Sequence, residues 1–178
     1  MNIEEDVRLF QVEIYRDERG SFIESYNQAV FDRWLGRQVR FVQDNHSVST
    51  RGVLRGLHYQ LPPRAQAKLV RIVKGAVFDV VVDLRKSSPT FACWKAFELS
   101  EDSPAQLWIP EGFAHGFLAL TEPAEMYYKT TDYYSPGHER SIRWDDATVR
   151  ISWPLSSTEP ILSPRDISAQ TLEQAEVF

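Results

Sequence analysis

Residues Ala76–Leu84 read AVFDVVVDL, and the alternation in this stretch decides the fold class. Ala76, Phe78, Val80, Val82 and Leu84 form one apolar face, and Val77, Asp79, Val81 and Asp83 form the other. A period of two belongs to a strand, whose successive side chains point to opposite faces. Two acids among valines suit a face that is partly buried yet polar, as in a barrel that encloses a site. A solvated outer face would show the same pattern.

Similar runs lie on both sides of this strand. Leu9–Tyr15 precedes a turn at Arg16–Gly20, and Ser21–Tyr26 follows it. Further runs are Arg40–Ser49, Val53–Gln60, Lys68–Val73, Trp94–Leu99, Gln106–Ile109, Gly116–Leu120 and Glu125–Thr131. Short strands separated by regular turns predict a mainly β sandwich or barrel. Two helical pieces are expected. Asn27–Leu35 has an N-cap in Asn27 and a stop in Gly36, and Ser168–Val177 reads as a short C-terminal helix or a frayed tail.

The 178 residues fit one domain, 1–178, with no linker or repeat. Aromatic residues make up 12 %, enough for a full core. Twenty Lys and Arg against 25 Asp and Glu give a net charge of −5, which argues against a nucleic-acid partner. The single cysteine, Cys93, precludes an intrachain disulfide and points to a reducing compartment. The opening MNIEEDVRLF carries acids where a secretory signal needs an apolar run, and no stretch is long enough to cross a membrane. A cytoplasmic protein without membrane contact is expected.

Four histidines are present. His58 lies in GVLRGLHYQ and His115 in IPEGFAHGF, both in β contexts beside glycines. A lone strand histidine is more often structural than catalytic, but two in such settings point to a site. His46 and His138 read as loop or surface residues. Arg55 and His58 are an odd number apart and face one site only if the strand bulges near Gly56. Tyr127, Tyr128, Tyr133 and Tyr134 cluster in YYKTTDYY, where packing is the ordinary role. A tyrosine becomes a general acid when a cation such as Lys68, His115 or Lys129 lowers its pKa. Arg165 and Asp166 follow a Ser-Pro turn and read by themselves as a surface charge pair.

The spacing Gly52-x5-His58, with Pro110-x-Gly112-x-x-His115 later, resembles the two motifs of the cupin barrel. Gln60 stands where a metal cupin carries its second histidine, and no ligand Glu follows. One ligand per motif is too few for a metal centre, so no metal is expected.

Eight segments, taken in order, carry a closer resemblance: DERGSFIESYN, FVQDNHSVS, GVLRGLHYQ, KLVR, VFDVVVDLRKSSPTF, QLWIPEGFAHGF, YYKTTDYYSP and ILSPRD. They span nearly the whole chain and resemble the dTDP-4-dehydrorhamnose 3,5-epimerases. The resemblance implies a jelly-roll cupin-type double-stranded β-barrel, a homodimer, and no metal or organic cofactor. It implies a dTDP-linked 4-keto-6-deoxy sugar as substrate, inverted at C3 and C5 in dTDP-L-rhamnose synthesis for a lipopolysaccharide or cell-wall polysaccharide.

By the same resemblance, His58 matches the general base, Asp166 the acid that orients it, and Tyr128 the proton donor on the other face. Lys68 matches the lysine near the C4 oxygen, and His115 a substrate-contacting histidine. Asp79, from the polar strand face, is read as orienting His115. Arg19 and Arg55 match residues that hold the diphosphate, which guanidinium forks fit. Glu24, Gln43, Asp44, Asn45 and Glu139 match further ligand contacts. Arg165 replaces the usual lysine, keeping the charge but not the geometry. Rival readings are a single-centre epimerase of a related sugar, a non-catalytic sugar-nucleotide-binding cupin and a metal-dependent cupin oxygenase.

Overall fold

The computed structural model describes residues 3–103, 105–155 and 159–178. Its elements are α1 (Ile3–Asp6), β1 (Arg8–Gln11), β2 (Ile14–Asp17), β3 (Gly20–Ile23), α2 (Gln28–Leu35), β4 (Gln43–Ser49), β5 (Leu54–Gln60), β6 (Lys68–Lys74), β7 (Ala76–Asp83), β8 (Trp94–Ser100), β9 (Ala105–Ile109), β10 (Phe113–Ala119), β11 (Ala124–Thr130), β12 (Glu139–Ser141) and α3 (Pro164–Ile167). Two antiparallel five-stranded sheets carry the molecule, ordered β1-β9-β6-β11-β4 and β12-β5-β10-β7-β8, and β2 and β3 form a separate hairpin.

The alternation of β7 is resolved into two apolar faces. Val77 and Val81 pack between the sheets against Val70, Ile72, Leu107 and Met126. Val80 and Val82 pack on the far side against Ile142, Val149 and Leu172. Asp79 and Asp83, on the inner face, are both 0 % exposed, so this face is buried and polar rather than solvated. Asp83 takes a two-pronged bond from Arg85, Nε at 2.9 Å and Nη2 at 2.8 Å, with the Ser88 and Thr90 hydroxyls at 2.6 and 2.7 Å. Burial alone would raise its pKa, but these donors outweigh it and hold the carboxyl at about 2.

Helix α2 forms as its caps predict. The Asn27 side chain accepts from Val30 N–H, and Gly36 ends the helix at φ 82°. Its Phe31 is fully buried with Phe10 and Trp108 on the outer face of the first sheet. Burial of such a ring stabilises by about 2–3 kcal/mol.

The C-terminal segment differs from both alternatives read from the sequence. Helix α3 precedes Ser168, and the residues after it run as an irregular strap across the outer face of the second sheet. Asp146 accepts Leu172 N–H at 2.8 Å, Tyr59 Oη donates to the Glu176 carbonyl at 2.6 Å, and Phe178 N–H reaches Leu84 O. These long-range partners satisfy the backbone that a helix would have paired internally.

Candidate active site

Strands β5 and β10 are neighbours in the second sheet, and His58 lies directly opposite His115 in their register. The register then slips between His115 and Phe117, because Gly56 adopts φ 127°. A Cβ on Gly56 would lie 2.5 Å from the Gly116 Cα, so neither glycine has room for a side chain. This is the bulge expected from the Arg55–His58 spacing, and it brings both residues to one cavity.

The cavity measures about 510 Å³, a size ordinary for a small-molecule site. His58, His115, Arg55, Lys68, Tyr128, Arg165 and Asp166 line it, with Leu54, Phe117 and Met126 as apolar wall. Its polar wall is built from both sheets: His58 and His115 on β5 and β10, Lys68 and Tyr128 on β6 and β11. A smaller recess of about 170 Å³ shares His58, Lys68 and Tyr128 and extends to Gln43, Asn45, Tyr134 and Glu139.

His58 Nε2 lies 2.6 Å from Asp166 Oδ1. Asp166 is 3 % exposed, so it is no surface charge. Burial pushes its carboxyl up, but the His58 bond and charge, the Ser163 hydroxyl and the Gly56 N–H outweigh this and hold it below the usual range. An ionised Asp166 accepts, so Nε2 carries the proton in the neutral ring and Nδ1 keeps a lone pair. A second pair stands beside it, with His115 Nε2 2.8 Å from Asp79 Oδ2. Burial lowers the His115 pKa against the opposing charge of Asp79, which keeps the imidazole neutral at pH 7.

Lys68 Nζ is 3.4 Å from the His58 carbonyl oxygen. Desolvation brings its ammonium down to about 8, while the charges of Asp79 and Glu139 act to raise it. Tyr128 departs from the expected activation. Burial raises its pKa first and Glu139 adds to this, while Arg55 alone opposes them. The hydroxyl is therefore held protonated, the state a proton donor needs. Lys129 is not its partner, because the alternation of β11 sends that residue outward to Asp44 at 2.8 Å.

Among the expected ligand contacts, Gln43 and Asn45 face inward and bond each other at 2.9 Å. Asp44 lies between them and takes the opposite face, so its side chain does not join the cavity. Glu139 bonds Arg165 at 2.6 Å, and Glu139 holds the nearby Tyr134 hydroxyl above its ordinary pKa. Arg19 pairs with Asp17 on the exposed β2–β3 hairpin, and Glu24 accepts from Asn27 at 3.2 Å; neither lines the cavity of its own chain. His46 sits on β4 rather than in a loop, but on its outer face, near Glu125.

The sequence reading missed Ser163, whose hydroxyl donates to Asp166 Oδ2 at 2.7 Å. It also missed the work of Gln60, whose amide bonds Arg64 O, Tyr133 O and Ser135 N at 2.6–3.2 Å. The amide at the former metal-ligand position is thus spent on two loops. Among the described residues, no three His, Cys, Asp or Glu side chains group as metal ligands.

A family model described as dTDP-4-dehydrorhamnose 3,5-epimerase matches residues 2–174. The chain belongs to this family. A dTDP-4-dehydrorhamnose 3,5-epimerase of Shigella flexneri is 56 % identical over 173 residues, covering 97 % of this chain and 94 % of the relative. The epimerase of Legionella pneumophila, solved in complex with dTDP-4-keto-L-rhamnose, superposes with a TM-score of 0.91 at 47 % identity, covering 96 % of this chain and 89 % of that one. A 3'-monoepimerase of Streptomyces bikiniensis, solved with dTDP-quinovose, superposes at 0.88 with 36 % identity, covering 94 % and 84 %. The dTDP-4-dehydrorhamnose 3,5-epimerase fold therefore carries both double and single epimerases. No helix among the described residues is long and apolar enough to cross a membrane.

Proposed function

We propose that this protein inverts C3 and C5 of dTDP-4-dehydro-6-deoxy-D-glucose, giving dTDP-4-dehydro-L-rhamnose through enolate intermediates. One observation carries the reading. His58 with Asp166 and Tyr128 stand on opposite sheets and line the same cavity. Inversion needs a base on one side of a carbon and an acid on the other.

His58 Nδ1 takes the proton from carbon, and the electron pair moves into the C4 carbonyl to form the enolate. The Lys68 ammonium neutralises the developing oxyanion in a dry setting where charge counts for more. The Tyr128 hydroxyl then gives its proton to the opposite face, and solvent restores both groups. The same cycle at the second carbon completes the reaction, and no step in it calls for a cofactor. Arg55 and Arg165 supply guanidinium forks for the diphosphate.

The protein acts as a cytoplasmic homodimer in this reading. Arg19 and Glu24 match ligand-contact positions yet lie outside their own chain's cavity, and strand β3 between them presents Phe22 at 67 % exposure. A neighbouring copy is what these residues would complete. Sedimentation should give a dimer, and Arg19→Ala should weaken dTDP binding without unfolding the chain.

Incubation in deuterated water followed by proton NMR tests the function. Deuterium at C3 and C5 with inversion is expected. Label at one centre would make the protein a single epimerase like the Streptomyces bikiniensis neighbour, and label at neither would leave a binding module.

A further inference from the structure

We propose that Ser163 is a positioning residue for the His58–Asp166 pair, fixing the carboxylate through its hydroxyl proton rather than touching the reacting carbons. The proposal rests on the reading of His58 as the base.

Ser163 is the N-cap of α3, in extended conformation at φ −74° and ψ 156°. Its oxygen accepts the Asp166 N–H at 3.1 Å, which is all that capping requires. Its one O–H is directed elsewhere, to Asp166 Oδ2 at 2.7 Å. A hydroxyl has one proton to give, and this one goes to a carboxylate that is 3 % exposed.

The consequence is orientational. A carboxylate has two equivalent oxygens and a soft terminal torsion. With Oδ2 held by Ser163, Oδ1 is left pointing at His58 Nε2, 2.6 Å away. That bond selects the tautomer in which Nδ1 is free to take a proton. The Ser163 oxygen is itself fixed by the first turn of α3, so the carboxylate is tied through it to the backbone N–H of its own residue. A water entering in place of the hydroxyl would occupy Oδ2 without this tether.

Capping and positioning can be separated by substitution. Glycine is nearly as good an N-cap as serine but has no proton to give, threonine keeps both functions, and alanine loses both. Ser163→Gly and Ser163→Ala should lower kcat for deuterium exchange about tenfold or more, with KM and dTDP affinity unchanged. Ser163→Thr should stay near the wild type. In a double-mutant cycle, Ser163→Gly should add nothing to Asp166→Asn, because it acts only through that carboxylate. Nitrogen-15 spectra of the His58 ring should show a single Nε2–H tautomer in the wild type and a mixture in Ser163→Gly.

Full kcat in Ser163→Gly, additivity with Asp166→Asn, or an unchanged tautomer would each overturn the proposal. If the wild type exchanges no hydrogen at all, the functional reading fails by itself, and the ring spectra still decide the role of Ser163.

Discussion

Tyr128→Phe is the variant that tests the two-faced site most directly. It removes the hydroxyl and keeps the ring, which packs against the core between the sheets. The fold should therefore tolerate the change, and thermal unfolding should move little. The chemistry should not. Burial and Glu139 hold the hydroxyl above its ordinary pKa, so it is fully protonated throughout the neutral range. Every molecule of the wild type then carries a ready donor, and the variant carries none. Loss of a positioned acid costs about 10²–10⁴ in rate, or about 3–5 kcal/mol of barrier. The cost should fall on inversion alone. His58 can still take the proton and return a deuteron to the same face, because its pairing with Asp166 at 2.6 Å does not involve Tyr128. Time-resolved NMR in deuterated water separates the two outcomes: retained exchange with retained configuration, against a slow formation of inverted product. If exchange and inversion fall by one common factor, Tyr128 acts on enolate formation or on packing, and the assignment of acid and base to opposite sheets is wrong.

His58→Asn should abolish exchange at both carbons while leaving dTDP affinity, measured calorimetrically, near the wild-type value; Asp166→Asn should be milder, since it disturbs the orientation and basicity of His58 without deleting the ring. For Lys68, the ammonium is the useful form and burial brings it to about 8, so kcat/KM should fall as pH rises through that value, and Lys68→Arg should move the alkaline limb upward in a pH–rate profile. Gln60→Leu removes the bonds to Tyr133 and Ser135 on either side of Tyr134, which lines the smaller recess, so KM should rise about tenfold or more, with kcat held in steady-state assays.

Much of this site was legible because strands write their faces into the sequence. The alternation in 76–84 put Asp79 and Asp83 on one face without saying which way it turned, and the structure turns it inward and puts Asp79 on His115. The odd spacing of Arg55 and His58 demanded a bulge, and a glycine between them supplied it. The same rule carried a warning for Asp44. In a strand that turns Gln43 and Asn45 inward, residue 44 must face out, as it does toward Lys129. The C-terminal strap was illegible for the opposite reason. Its conformation is set by Asp146, Tyr59 and Leu84, residues far away in the chain that supply hydrogen bonds no local pattern announces.

Ser163 shows where the two kinds of information meet. The run Ser-Pro-Arg-Asp reads in the sequence as a turn, and in the structure it opens α3, where serine caps and proline fits the first turn. Capping explains the oxygen of Ser163 but leaves its proton unassigned. Only the approach of β5, whose bulge at Gly56 brings His58 to Asp166 across 108 positions, gives that proton a purpose. The local run thus sets the backbone on which the carboxylate rides, and the tertiary fold decides which of its oxygens faces His58. A His–Asp pair held this way draws its orientation from a four-residue helix. Substitutions that loosen the first turn of α3 should therefore reach the chemistry before they reach the stability of the two sheets.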